Sequence, residues 1–212
     1  MTPHQAYARA SEICRLAPVV PVLVIDQLDH AAPLARALVA GGLPALEVTL
    51  RTPCALLAIR EMARVPGGVV GAGTLLTPAD VLAAKEAGAM FGVSPGVTDR
   101  LLAACEDADL PLLPGAATAS EVMALLERGY TVQKFFPAGV IGGAPALKAI
   151  GAPIPQVRFC PTGGVSLKNA PDYLGLANVI CVGGSWVAPK EMMIAGDWAG
   201  IEALAREAAG LR

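Results

Sequence analysis

Histidine is scarce in this sequence, with only His4 and His30, both near the N-terminus. The five cysteines, Cys14, Cys54, Cys105, Cys160 and Cys181, are odd in number, and no two lie close in the chain. That pattern lacks the spacing of a zinc motif and of a disulfide framework, and it fits a reducing cytoplasm. Clustered positive charge is missing too: 16 Lys and Arg stand against 18 Asp and Glu, with no basic stretch, so no nucleic-acid partner is expected. No apolar run of about 18 residues escapes interruption by charge, Gly or Pro, so no membrane span is expected. LAPVVPVLVI, after Arg15, has the apolarity of a signal-peptide core. It carries Pro18 and Pro21, follows Glu12 and lacks a clear small-residue cleavage site, so it reads as a strand.

Apolar residues are plentiful, at 54% of 212, while charged residues make up 16%, enough material for one large core spanning 1–212. Short apolar runs recur: VVPVLVI (19–25), ALEVTL (45–50), VVGAGT (69–74), MFGVSP (90–95), PLLPG (111–115), TVQKFF (131–136), VRFCPTG (157–163) and NVICVGG (178–184). Between most of them lie Ala/Leu-rich amphipathic stretches, several ending on glycine at Gly41, Gly88 and Gly129. Near-continuous apolar strands alternating with helices predict a parallel sheet covered on both faces. Eight such units predict an α/β fold, a compact (β/α)8 TIM barrel, with residues 1–18 as an extra N-terminal helix. An open doubly wound sheet would want a glycine-rich turn after the first strand, where VIDQLDH has none. Internal self-similarity of the kind a repeat array shows is absent.

In a parallel barrel the chemistry sits at the C-terminal ends of the strands. In LEVTLR, alternation puts Glu47, Thr49 and Arg51 on one face and Leu46, Val48 and Leu50 on the other. A polar face in an all-parallel pattern points to a working interior, whereas in an antiparallel sheet it would be an ordinary half-exposed strand. Lys134 lies inside TVQKFF; with Val132 and Phe136 inward, it faces the cavity of Glu47 and Arg51. Such a lysine is either half of a structural ion pair with Glu47 or a nucleophile. Desolvation and the Arg51 cation favour the neutral amine, which attacks carbonyls to form a Schiff base. PTGGVS (161–166) and VGGSW (182–186) place paired glycines after the last two strands, where backbone N–H groups can approach a phosphate. Thr162 and Ser185 add hydroxyls there, or the pairs are two tight turns. Thr74 offers a hydroxyl at the barrel mouth, and Pro95 fixes the exit from the fourth strand. Cys160 and Cys181 lie within strands and read as core, and Trp186, Trp198, Met192 and Met193 read as packing or subunit contact rather than a cofactor box.

LEVTLRTPCAL, VGAGTLLTP, SPGVT, LPGAATASE, KFFPA, RFCPTGGVS and VGGSWVAP, in this order along nearly the whole chain, resemble the 2-keto-3-deoxy-6-phosphogluconate (KDPG) aldolase family. The resemblance implies a class I, metal-free aldolase with no cofactor, built as a (β/α)8 barrel and assembled as a homotrimer. It implies cleavage of a phosphorylated keto acid, KDPG, to pyruvate and D-glyceraldehyde 3-phosphate, the Entner–Doudoroff step, and of 4-hydroxy-2-oxoglutarate to pyruvate and glyoxylate. It makes Lys134 the Schiff-base lysine and Glu47 the general acid/base. Arg51 and Thr74 would hold the pyruvyl carboxylate, and Gly163, Gly164, Gly184 and Ser185 the phosphate, with Thr162 nearby. Pro95 and Phe136 are the remaining candidate substrate contacts. Thr162 in PTGG favours KDPG over its galactonate epimer, for which an aliphatic residue is expected. One departure is Gly139, where many members carry an acidic residue just after KFFPA. Rival readings are an epimerase or isomerase on the same barrel, which commonly needs histidine or carboxylate bases and often a metal, and a non-catalytic phosphosugar-binding barrel with a structural Lys134–Glu47 pair.

Overall fold

The computed structural model describes residues 3–211. A first helix, α1 (Pro3–Cys14), precedes β1 (Val19–Leu23), and strands and helices alternate from there. The strands that follow are β2 (Ala45–Thr49), β3 (Val69–Gly73), β4 (Phe91–Val93), β5 (Leu112–Leu113), β6 (Gly115–Ala116), β7 (Val132–Phe135), β8 (Arg158–Pro161) and β9 (Val182–Gly184). Between and after them lie α2 (Ala31–Ala40), α3 (Ala55–Met62), α4 (Pro78–Glu86), α5 (Asp99–Asp107), α6 (Ala119–Glu127), α7 (Gly143–Gly151), α8 (Ala170–Leu174), α9 (Lys190–Ala195) and α10 (Trp198–Ala209). No helix among the described residues is long and apolar enough to cross a membrane.

All described strand pairs are parallel, and the sheet curls. One ladder runs β5-β4-β3-β2-β1-β9 and a second runs β6-β7-β8. The sequence predicts one strand over PLLPG, and here the structure differs: Pro114 divides it into β5, which pairs with β4, and β6, which pairs with β7. Proline has no N–H to give a ladder, but its carbonyl still accepts from the Lys134 N–H at 2.8 Å. Between β8 and β9, isolated bridges join Phe159 to Val179 and Thr162 to Gly183.

Threonines set the sharp strand-to-helix turns. Thr77 before α4 and Thr118 before α6 each form a capping box, with Asp80 and Glu121, and Thr98 caps α5 through the Leu101 N–H. Loops held this tightly leave the strand ends as a firm platform. At the helix C-termini, Gly88 and Gly129 take left-handed conformations, φ +96° and +90°. After α2 it is Gly42, at +92°, rather than the expected Gly41. Gly41 serves another purpose: a Cβ there would lie 2.7 Å from the Glu202 carbonyl, so its absence lets α10 pack against the end of α2.

Alternation divides the core in two. Leu46 and Val48 point outward and join Leu38, Ile59 and Met62 of the helices in the larger buried cluster. A smaller cluster gathers Val20, Ala45, Phe91, Val93, Leu113, Val132, Cys160, Ile180 and Cys181 with Cys14 of α1. Two residues further along the same strands come Val22, Glu47, Pro95, Lys134 and Thr162, which line a cavity. Apolar side chains thus form a floor beneath the polar ones, by the two-residue repeat of extended chain.

Candidate active site

The floor leaves a cavity of about 310 Å³ at the C-terminal ends of the strands. At its base, β2 delivers Glu47 and β7 delivers Lys134. The Lys134 Nζ lies 3.3 Å from Glu47 Oε1, and both residues are buried, at 5% and 2% exposure. This contact joins residues 87 apart in the chain. It satisfies both charges, as buried charges require, while leaving the amine at a cavity wall. Nζ also stands 5.3 Å from the centre of the Phe136 ring, whose face attracts a cation. Glu47 owes its place to Gly73 on β3. A Cβ at Gly73 would overlap Glu47 Oε1 and lie 2.6 Å from Cγ and 2.9 Å from Cδ, so only glycine leaves room for the carboxylate.

Further along β2, the Thr49 hydroxyl donates to the Leu23 carbonyl at 2.8 Å and accepts from Arg51 Nε at 3.1 Å. Thr74 is held at φ +64°, a conformation uncommon for a β-branched residue; it turns the chain directly after Gly73 at the cavity wall. Across the cavity, Gly163 and Gly164 are consecutive left-handed residues, φ +92° and +75°, which explains their pairing. Among the described residues the N–H groups of Gly164 and Val165 find no hydrogen-bond partner, as an anion site requires. Asn169 pins this turn, donating to the Gly164 carbonyl at 2.9 Å and accepting from the Ser166 N–H at 2.7 Å. Gly184 and Ser185 complete that side.

All eleven residues singled out from the sequence, Lys134, Glu47, Arg51, Thr74, Pro95, Phe136, Thr162, Gly163, Gly164, Gly184 and Ser185, line this one cavity. Thr162 differs in orientation from the expected donor, since its hydroxyl donates to the Cys160 carbonyl at 3.3 Å. Sequence reasoning missed Val22, Val165 and Gly183 as wall residues. It placed Thr49 on the right face without a task and passed over Gly73; the close fit of a glycine to a distant side chain leaves no local signal. Gly183 is there because a Cβ would overlap the Thr162 hydroxyl and lie 2.9 Å from its methyl carbon. Gly139 does not face the ion pair: its N–H donates to the Gly163 carbonyl at 2.8 Å, behind the glycine turn. Cys160 and Cys181 are buried, Met193 is buried, and Trp186, Trp198 and Met192 pack against the larger core. Among the described residues, no group of three His, Cys, Asp or Glu side chains is placed to hold a metal ion.

Residues 10–204 match the family model described as KDPG and KHG aldolase. The chain is 52% identical over 200 residues to the KHG/KDPG aldolase of Escherichia coli K12, covering 94% of each protein. It superposes with a TM-score of 0.92 and 52% identity, over 97% of both chains, on the crystal structure of the 2-keto-3-deoxy-6-phosphogluconate aldolase of Zymomonas mobilis ZM4 with 3-phosphoglycerate. A crystal structure of the Legionella pneumophila KDPG aldolase, with pyruvate captured at low pH as a covalent carbinolamine intermediate, matches with a TM-score of 0.91 and 47% identity over 94% of this chain and 98% of that one.

Proposed function

Because the chain belongs to the KDPG and KHG aldolase family, we propose that it cleaves KDPG to pyruvate and D-glyceraldehyde 3-phosphate through a Schiff base on Lys134. The same lysine cleaves 4-hydroxy-2-oxoglutarate to pyruvate and glyoxylate. The observation that carries this reading is the buried Lys134–Glu47 pair, 3.3 Å apart at the base of an otherwise walled cavity.

Transfer of the ammonium proton to Glu47 frees the amine, which attacks the C2 ketone of the substrate; Glu47 then returns that proton to the departing hydroxyl, and loss of water leaves the iminium with Glu47 again a carboxylate. Arg51 and Thr74 hold the carboxylate at the strand ends. The glycine turn 163–164, with Gly184 and Ser185, takes the phosphate through backbone N–H groups, and Thr162 stands beside it. Pro95 and Phe136 wall the carbon chain. Glu47, through a water, removes the C4 hydroxyl proton as the C3–C4 bond breaks, and the electron pair moves into the iminium. The aldehyde leaves, the enamine is protonated at C3, and hydrolysis releases pyruvate and restores Lys134. Thr162, rather than an aliphatic residue, supports KDPG over the galactonate epimer.

The two ladders close into one (β/α)8 barrel with α1 as an additional helix across its floor. Support comes from the split fifth strand, whose halves join β4 to β7, from the bridges between β8 and β9, and from Cys14 in the floor cluster. The described residues, 3–211, form this one domain. Leu57, Leu76, Leu82 and Met90, on or beside α3 and α4, are each about half exposed and offer apolar surface for the homotrimer. Five cysteines outside any disulfide support a cytoplasmic enzyme.

Coupling pyruvate release to lactate dehydrogenase tests the activity. The wild type should consume KDPG, and Lys134→Met should fold yet release no pyruvate. A fully active Lys134→Met would refute the Schiff base.

A further inference from the structure

We infer that Thr49 is a positioning residue for the keto-acid carboxylate, acting through Arg51; the inference rests on the reading of Arg51 proposed above. A threonine hydroxyl has one proton and two lone pairs. At Thr49 the proton is committed to the Leu23 carbonyl, 2.8 Å away at the end of β1. The oxygen can therefore meet Arg51 Nε only as an acceptor, and it does so at 3.1 Å. The acceptor is itself held firmly, because Thr49 is 2% exposed and paired with Gly73 across the ladder. Arg51, by contrast, is exposed and sits in a turn, where its N–H donates to the Thr49 carbonyl at 2.8 Å. A long side chain in that setting samples many rotamers unless its inner end is fixed. Tying Nε to the sheet leaves the two terminal nitrogens as the fork that grips a carboxylate in two bonds. Neither β1 nor Arg51 alone supplies this; the hydroxyl bridges them.

The test titrates pyruvate against borohydride-trapped adduct on Lys134 in wild type, Thr49→Val and Thr49→Ser, with pyruvamide as a ketone lacking the carboxylate charge. Valine keeps the shape and removes the bridge. The half-saturating pyruvate concentration should rise roughly tenfold in Thr49→Val, the scale of one hydrogen bond to a charged group, with the plateau unchanged. Pyruvamide should titrate alike in wild type and Thr49→Val, and Thr49→Ser should restore pyruvate binding. An unchanged pyruvate titration overturns the inference. So does an equal shift for pyruvate and pyruvamide, which marks Thr49 as a mere clamp between strands. If Thr49→Val does not fold, exchange of the Arg51 Nε–H in the wild-type protein decides, read by NMR. Slower exchange than at the exposed Arg100 supports the bridge, and equal exchange overturns it. A wild type that forms no adduct removes the Schiff-base reading and this inference together, whereas a normal wild type with an unaffected variant removes this inference alone.

Discussion

Replacing Gly73 with alanine adds one methyl group, and that methyl meets the Glu47 side chain. The new Cβ would stand 2.6 Å from Glu47 Cγ and 2.9 Å from Cδ, against about 3.5–4.0 Å for carbons in comfortable contact. Gly73 is not among the positive-φ glycines, so alanine brings no backbone strain of its own and the effect is steric. The Glu47 side chain must retreat by roughly 1 Å, while its partner Lys134 arrives from the opposite wall. Overpacking of this kind costs roughly 1–3 kcal/mol of stability. Displacing a proton-transfer group by about 1 Å lowers turnover by about 100-fold. The lactate dehydrogenase-coupled assay reads kcat, and a thermal melt reads the stability cost. A folded Gly73→Ala enzyme with kcat within about twofold of wild type would show that Glu47 does not need its place, and would refute the assignment of the carboxylate as proton carrier.

Glu121 closes the α6 capping box, and hydrogen bonds from the Ala117 N–H, the Thr118 hydroxyl and the Thr118 N–H hold its carboxyl below the ordinary value of 4.5. A carboxyl depressed in the folded state contributes stability that is full above its unfolded value and lost as pH falls through the folded one. Melts of wild type and Glu121→Gln should therefore differ at pH 7, begin to approach each other near pH 4.5 and converge only once the pH has fallen through the lower, folded value. Burial, followed by the neighbouring Glu106 charge, pushes the Cys105 thiol up to about 12, and Cys14, Cys160 and Cys181 are buried as well. A thiol titration of the native protein at pH 8 should accordingly find Cys54 alone reacting quickly, and all five after denaturation.

The strand pattern was readable because a parallel strand covered on both faces has little reason to carry charge. Glu47 and Arg51 in ALEVTLR, and Lys134 in TVQKFF, therefore pointed inward on alternation alone. The glycine pair 163–164 was readable because two left-handed residues in succession leave few alternatives to glycine. Other features depended on partners far off in sequence. Gly73 is small for the sake of Glu47, and Gly183 for the sake of Thr162. Thr49 bridges Leu23 to Arg51, and nothing within its own strand indicates that carbonyl. The break at Pro114 turned on which ladder each half would join, a matter of three-dimensional pairing rather than of local pattern.

In the proposed reaction Lys134 becomes covalently bound to a keto acid. Incubating the protein with pyruvate and borohydride, then measuring intact and peptide masses, tests it most directly. A reduced pyruvyl adduct should appear on the peptide containing Lys134, and none on Lys134→Met. A folded protein that carries no adduct at Lys134 would contradict it and leave the lysine as the buried partner of Glu47.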